Sequence, residues 1–299
     1  SWPGEEEIIL KYGLTPVVAR LDQLGCLERA ASKQRGKNAR KRIRFHLKID
    51  SGMNRLGISR EEVPAFARAY ANCPHLELKG TLTHFASSDD FRTQQNEQQE
   101  RVFAVVLAAL QAAGVSPGIV HAANSGAICG RPATLADMVR PGAVLYGYHQ
   151  GFEPAEVAAE IRKKFPLKPC LSLRSRIISL REVAAGESVG YSARFVAERP
   201  SRIAVIAAGY ADGVVRQRSN RGCVIVRGKL VPLVGAISMD LSMIDLTDVE
   251  NVAIGDVVTI YGRDGNVSLE VDQVARQIGT VTSDLLCALG RRVPRFYLA

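Results

Sequence analysis

The chain has 299 residues, of which 46% are hydrophobic and 23% charged, with a net charge of +9. This balance excludes disordered and collagen-like classes. No run of 18 apolar residues occurs, so no membrane-spanning helix is expected, and the length suits one large domain or two ordinary ones.

The first half alternates helical and strand patterns. Glu5–Tyr12 reads as a helix before a short strand at Pro16–Ala19. A helix around Asp22–Ser32 leads to a strand at Ile43–Asp50, and a helix at Arg60–Asn72 leads to Leu76–Phe85. A long helix spans Phe91 to Ala113, with Val102, Phe103, Val106, Leu107 and Leu110 on one face. Gly114 and Pro117 stop it, and Ile119–Ala123 and Met138–Tyr146 read as the next strands. Five strands separated by helices predict parallel βαβ units. They suit an open doubly wound sheet or the last five strands of an eight-stranded barrel. Glu153–Lys164 reads as a linker helix. After Pro166 the texture changes to short β-branched runs bounded by Gly, Pro, Asp and Asn, beginning with a long strand at Leu171–Leu180. This predicts a barrel-like antiparallel β domain, closed by helices at Leu269–Ile278 and Ser283–Leu289 and a last strand at Pro294–Leu298. The expected organisation is a barrel domain over 1–150, a linker over 151–167 and a β domain over 168–299.

Arginine supplies 29 of the 39 basic residues. Lys33–Arg44 is the densest basic stretch, but it lacks interleaved aromatics. It reads as a solvated loop or helix end, and no nucleic-acid partner is expected. Guanidinium groups also suit anionic small molecules. The six cysteines show no zinc spacing, and no metal is expected. No signal segment follows Ser1, so reduced cytoplasmic thiols are expected, with Cys129 packed. Ser1 is not an initiator Met, so the chain reads as processed, recombinant or a fragment.

In parallel α/β folds function sits at the C-terminal ends of the strands. Those ends are polar here: His46-Leu47-Lys48-Ile49-Asp50, Thr83-His84, His121 to Ser125, and Arg140-Pro141-Gly142-Ala143. Asn124-Ser125 opens a helix, where free N–H groups favour an anion, and Gly142-Ala143 adds backbone amides. Taken singly, Ser125 reads as a helix N-cap and Gly142 as a turn glycine; together, on neighbouring strands, they point to a phosphate. An Arg140 among apolar strand neighbours needs a partner. That partner is either an acid, Asp137 or another, or a bound ligand, with His121 beside it.

HLKIDSGMNRLGI, GTLTHFASSDD, HAANSGA, DMVRPGAVLYG, GESVGYSARF, AAGYADG and VGAISMD, in this order, resemble bacterial alanine racemases over nearly the whole chain. The resemblance implies a (β/α)8 TIM-type barrel, N-terminally incomplete here, followed by an antiparallel β domain. It implies a pyridoxal 5'-phosphate cofactor, an amino-acid substrate, and a cytoplasmic homodimer with shared active sites that makes D-alanine for peptidoglycan in the cell wall. Two bases on opposite faces of Cα carry the racemisation. By resemblance, Tyr191 is the base lent by the partner subunit, and His84 and Arg55 lower its proton affinity. Arg55 also meets the substrate carboxylate. Arg140 faces the cofactor's ring nitrogen and His121 holds it. Ser125, Gly142 and Ala143 bind the phosphate, with Asn124 beside them. Met239 and Asp240 line the substrate side, and Tyr210 the entrance. Lys48 matches a position that is often carbamylated and holds Arg55.

The sequence departs from the family in two places. The Schiff-base lysine motif V-x-K-A-N-A-Y-G-H-G is missing, and none of the ten lysines has its context. The expectation is a truncated racemase that is inactive or nearly so by itself. Ser283 stands where the family commonly has a tyrosine, which leaves room for a broader small-amino-acid racemase. A barrel-type decarboxylase shares the plan, but usually places an acid where Arg140 stands. A non-catalytic cofactor-binding remnant is the third reading.

Overall fold

The computed structural model describes residues 4–33 and 42–298. The basic stretch at Lys33–Arg44 lies mostly outside the described residues. The chain divides into two compact units, one of residues 1–144 and 149–166, the other of residues 145–148 and 167–299.

The first unit runs α1 (Glu6–Tyr12), β1 (Val17–Val18), α2 (Leu21–Ser32), β2 (Ile43–Lys48), α3 (Val63–Ala71), β3 (Leu76–Leu82), α4 (Gln95–Ala112), β4 (Ile119–His121), α5 (Ser125–Gly130) and α6 (Ala155–Lys164). The four strands pair in parallel in the order β1-β2-β3-β4. Alternation along β2 explains its use. Ile43, Phe45 and Leu47 enter the core, while His46 and Lys48 share the other face. Phe45 and Leu47 pack with Leu24, Leu27, Phe66, Val106 and Leu110. Each such burial contributes about 1.5–3 kcal/mol. On α4 the buried Gln99, Phe103, Val106 and Leu110 fall at helical spacing, so the helix covers the sheet with one face. Phe152, Ala158 and Ile161 form a smaller cluster, against which the free thiol Cys129 packs.

No strand forms at Met138–Tyr146, where a fifth was expected. The segment does run beside β4: Asp137 N–H donates to the Val120 carbonyl at 3.1 Å and Arg140 N–H to the Ala123 carbonyl at 2.9 Å. The Asp137 carboxylate accepts the Val120 N–H in place of a backbone carbonyl, at 2.8 Å. Pro141 then offers no donor. The ladder therefore breaks off, and Ala143–Tyr146 coils into a 3-10 turn.

The second unit is antiparallel: β5 (Leu173–Val183), β6 (Ser188–Val189), β7 (Phe195–Val196), β8 (Ser201–Ile206), β9 (Cys223–Val226), β10 (Lys229–Val234), β11 (Ser242–Asp245), β12 (Val257–Asp264) and β13 (Val267–Leu269), then α7 (Val271–Ile278) and α8 (Thr282–Cys287). The order β12-β5-β8-β11-β10-β9 closes through a β12–β9 pairing into a barrel, with β13 as a hairpin on β12. Closure removes the edges that an open sheet would expose. The expected last strand at Pro294–Leu298 is irregular and exposed. Arg295 instead holds the carbonyls of Leu289, Gly290 and Val293.

Candidate active site

Arg140 is the hub of a cluster at the C-terminal ends of β2, β3 and β4. Its guanidinium turns inward and touches no acid, so Asp137 is not its partner. One terminal nitrogen, Nη1, lies 2.7 Å from His121 Nδ1 and donates to the His121 carbonyl. The other, Nη2, donates to the carbonyls of Thr83 (2.7 Å) and Ala122 (3.0 Å) and lies 3.3 Å from His84 Nδ1. Since guanidinium only donates, both imidazoles accept from it.

Lys48 and Arg55 bring two more cations. Lys48 is buried, and among the described residues no carboxylate lies within ion-pair distance of Lys48, Arg55 or Arg140. Burial, then the charges of Arg140 and Arg55, push the Lys48 amine below its ordinary range. Burial, then Arg140 and Lys48, bring the His84 imidazole down to about 4. Burial, then Arg140 and His46, bring His121 down to about 4 as well. Both histidines are neutral at pH 7, and the site keeps an excess of positive charge that an anion would relieve.

Arg55 rides on a loop organised by Asp50. This carboxylate accepts the backbone N–H groups of Gly52, Met53, Asn54 and Arg55 at 2.9–3.1 Å. Burial pushes the Asp50 carboxyl up, but these four donors outweigh it and hold it below the usual range. The loop closes where Ile58 N–H donates to the Lys48 carbonyl. Gly57 is required there, with φ +129° and a position where a Cβ would lie 2.4 Å from Asp50 N. Thr83 and Ser51 join their hydroxyls beneath, and Gln99 Nε2 donates to the His84 carbonyl.

The N-cap of α5 is Asn124, not Ser125. The Asn124 side-chain oxygen accepts the Ala127 N–H at 3.1 Å and the Ser88 hydroxyl at 2.7 Å. Ser125 is therefore the first helical residue. It is buried, and its Oγ accepts the Gly142 N–H at 2.8 Å. That bond brings Gly142 beside the start of α5 and engages its amide.

The second unit gathers the remaining candidates. Tyr191 is 72% exposed on a 3-10 turn. Ser192 and Ala193 in that turn adopt left-handed φ of 60° and 45°, a strain of about 1–2 kcal/mol per residue. Asn220 secures the turn by donating to the Arg194 carbonyl and accepting the Gly235 N–H. Tyr210 N–H donates to the Ser238 carbonyl and Ala211 N–H to that of Met239. Tyr210, Met239 and Asp240 therefore lie together, and Arg292 bridges Asp212 and Asp240. Ser283 is exposed on α8.

Sequence reasoning placed His46 and Asp50 at a polar strand end without giving either a role, and gave Arg292 none. The signal for His46 was its alternation with Lys48 along β2, which places both on one face.

The N-terminal domain model of alanine racemase matches residues 1–150 and the C-terminal domain model residues 170–297. The alanine racemase of Geobacter sulfurreducens is 40% identical over 303 residues, covering 99% of this chain and 76% of its own length. The alanine racemase from Bacillus anthracis with bound L-Ala-P superposes with a TM-score of 0.89 at 30% identity, covering all of this chain and 74% of that one. The Bartonella henselae alanine racemase with covalently bound pyridoxal phosphate gives 0.84 at 30% identity, with 77% of that chain covered. The fold is that of these enzymes, a TIM-type barrel joined to a β domain, and the chain spans about three quarters of their length. The chain belongs to the alanine racemase family of isomerases.

Proposed function

We propose that the Arg140 cluster seats pyridoxal 5'-phosphate in an enzyme that interconverts L- and D-alanine. The observation that carries this is the unpaired positive charge of Lys48, Arg55 and Arg140 around two neutral histidines. Such a donor set suits a ligand with a phosphate and a carboxylate, and the cofactor and its substrate supply both. Ser125, Gly142 and Ala143 would hold the phosphate, with Asn124 fixing the start of α5. Arg140, held by His121, would hold the ring nitrogen. The cofactor supplies an electron sink for the pair left when the Cα proton departs. An arginine cannot pass a proton to a ring nitrogen at neutral pH. That limits delocalisation into the ring and favours returning the proton to Cα over decarboxylation or transamination.

Arg55 would meet the substrate carboxylate. Tyr191 would remove or return the Cα proton on one face. Its exposure fits a side chain lent to a partner's site, so we propose a homodimer. Arg55 and the neutral His84 would stabilise the Tyr191 phenolate. Met239, Asp240 and Tyr210 would line the approach. A carbamate on the amine of Lys48, already lowered in proton affinity, would pair with Arg55. Six free thiols fit a reducing cytoplasm, and D-alanine would feed peptidoglycan. The exposed Ser283, smaller than a tyrosine, supports activity on small amino acids other than alanine.

None of the ten lysines stands in the Schiff-base motif, so we propose that the 299-residue chain alone is inactive or nearly so. The test is a chiral assay of alanine with added cofactor, using the chain alone and the chain fused behind the first strands of a relative. Only the fusion is expected to produce D-alanine. A stoichiometric borohydride-trapped adduct on one lysine of the unfused chain, with turnover, would overturn this.

A further inference from the structure

The Arg140–His121 contact continues one step further, into a residue outside every role assigned above. His46 Nδ1 lies 2.7 Å from His121 Nε2, with the rings edge-on and their centroids 4.9 Å apart. The two histidines are not on adjacent strands. His46 is on β2 and His121 on β4, and β3 runs between them. The His46 ring crosses β3 above its register partner, Gly80. A Cβ at Gly80 would lie 2.8 Å from His46 Cε1 and 2.9 Å from Nδ1. A glycine at this point of β3 is what leaves the crossing open.

Proton counting fixes the rest. Arg140 can only donate, so His121 Nδ1 must be a bare acceptor. The single proton of a neutral His121 is then on Nε2, and that N–H needs an acceptor because the residue is only 3% exposed. His46 Nδ1 is that acceptor, so the His46 proton sits on its own Nε2. No other assignment satisfies both contacts with neutral rings. The opposite tautomer of His121 would aim an N–H at the guanidinium and leave two donors facing each other.

We propose that His46 is a positioning residue that locks His121 as its Nε2–H tautomer and so keeps the Nδ1 lone pair aimed at Arg140. Its consequence for the reaction rests on the seat of Arg140 proposed above. The lock itself is a property of the chain without any ligand.

Five histidines make the chain suited to nitrogen NMR with labelled histidine. His121 is expected to show one neutral tautomer, protonated at Nε2, at pH 7. His46→Phe leaves the His121 Nε2–H buried without an acceptor, a cost that then competes with the donor–donor clash at Arg140, and is expected to turn that single tautomer into a mixture. His46→Asn, whose side-chain oxygen can stand where Nδ1 stood, is expected to keep the tautomer while moving the Nε2–H resonance. This variant also covers the case in which the phenylalanine chain does not fold. A His121 found protonated at Nδ1 or cationic in the unmodified chain would overturn the proposal. So would an unchanged His121 spectrum in both variants. A locked His121 in a chain that ignores pyridoxal phosphate would sink the cofactor reading and leave the lock standing.

Discussion

Tyr191→Phe is expected to cut racemisation by about a hundred- to ten-thousandfold, measured in a fusion that carries a Schiff-base lysine. The substitution keeps the ring and removes only the hydroxyl that would carry the proton. Because the side chain is 72% exposed, thermal stability should be nearly unchanged, and the loss can be read as chemistry. Both directions should fall together, since each needs both bases. Solvent deuterium should still enter the enantiomer whose Cα–H faces the surviving base, which separates a lost base from a lost cofactor. If the tyrosine serves the partner's site, mixing Tyr191→Phe with Arg55→Ala chains rebuilds one intact site in each mixed dimer. Random pairing then restores about a quarter of full activity. Recovery that stays at the level of the separate variants would contradict a shared site.

The second large effect is acid instability in the pH window from about 6.5 down to about 4. His84 and His121 each take a proton near 6.5 when unfolded but only near 4 in the folded chain. Between those values the unfolded state binds more protons, so stability is complete above the window and falls as pH drops through it. Two such groups give a limiting slope of about 2.7 kcal/mol per pH unit, and solvent screening reduces the total loss to about 2–3 kcal/mol. The neighbours Arg140, Lys48 and Arg55 all oppose charging, and His46 is itself lowered by burial. Urea midpoints at pH 7 and 4.5 measure the effect. The His84→Asn, His121→Asn double variant should flatten the difference, because asparagine can still accept from Arg140 yet does not titrate there. Equal pH slopes in the two chains would show that neither histidine is held neutral.

Much of this was legible in the chain order of residues. The strand at Ile43–Asp50 and its polar end were read from the chain, and β2 runs Ile43–Lys48 with Ile43, Phe45 and Leu47 in the core. The spacing of Phe103, Val106 and Leu110 located α4. The motifs around His84, His121 and Arg140 were sufficient to expect these three side chains at neighbouring strand ends, and Arg140 does reach both histidines, while Ser125 meets Gly142. The strand at 138–146 was misread because its apolar run satisfies strand periodicity. What breaks it is a side chain, the Asp137 carboxylate, which takes a ladder hydrogen bond, together with the missing N–H of Pro141. Asp50 was passed over because its task is to gather four backbone donors, which shows only when the loop folds back at Gly57. His46 was passed over because its contact spans a whole strand. That crossing depends on the absence of a side chain at Gly80, and no local pattern encodes it.

Calorimetric titration of the chain with pyridoxal 5'-phosphate, beside Ser125→Ala and Arg140→Glu variants, most directly tests the seat of the cofactor. One saturable site per chain is expected, weakened about tenfold by loss of the serine hydroxyl and abolished when the guanidinium becomes a carboxylate. Binding of equal strength in all three chains would place the cofactor elsewhere and contradict the assignment.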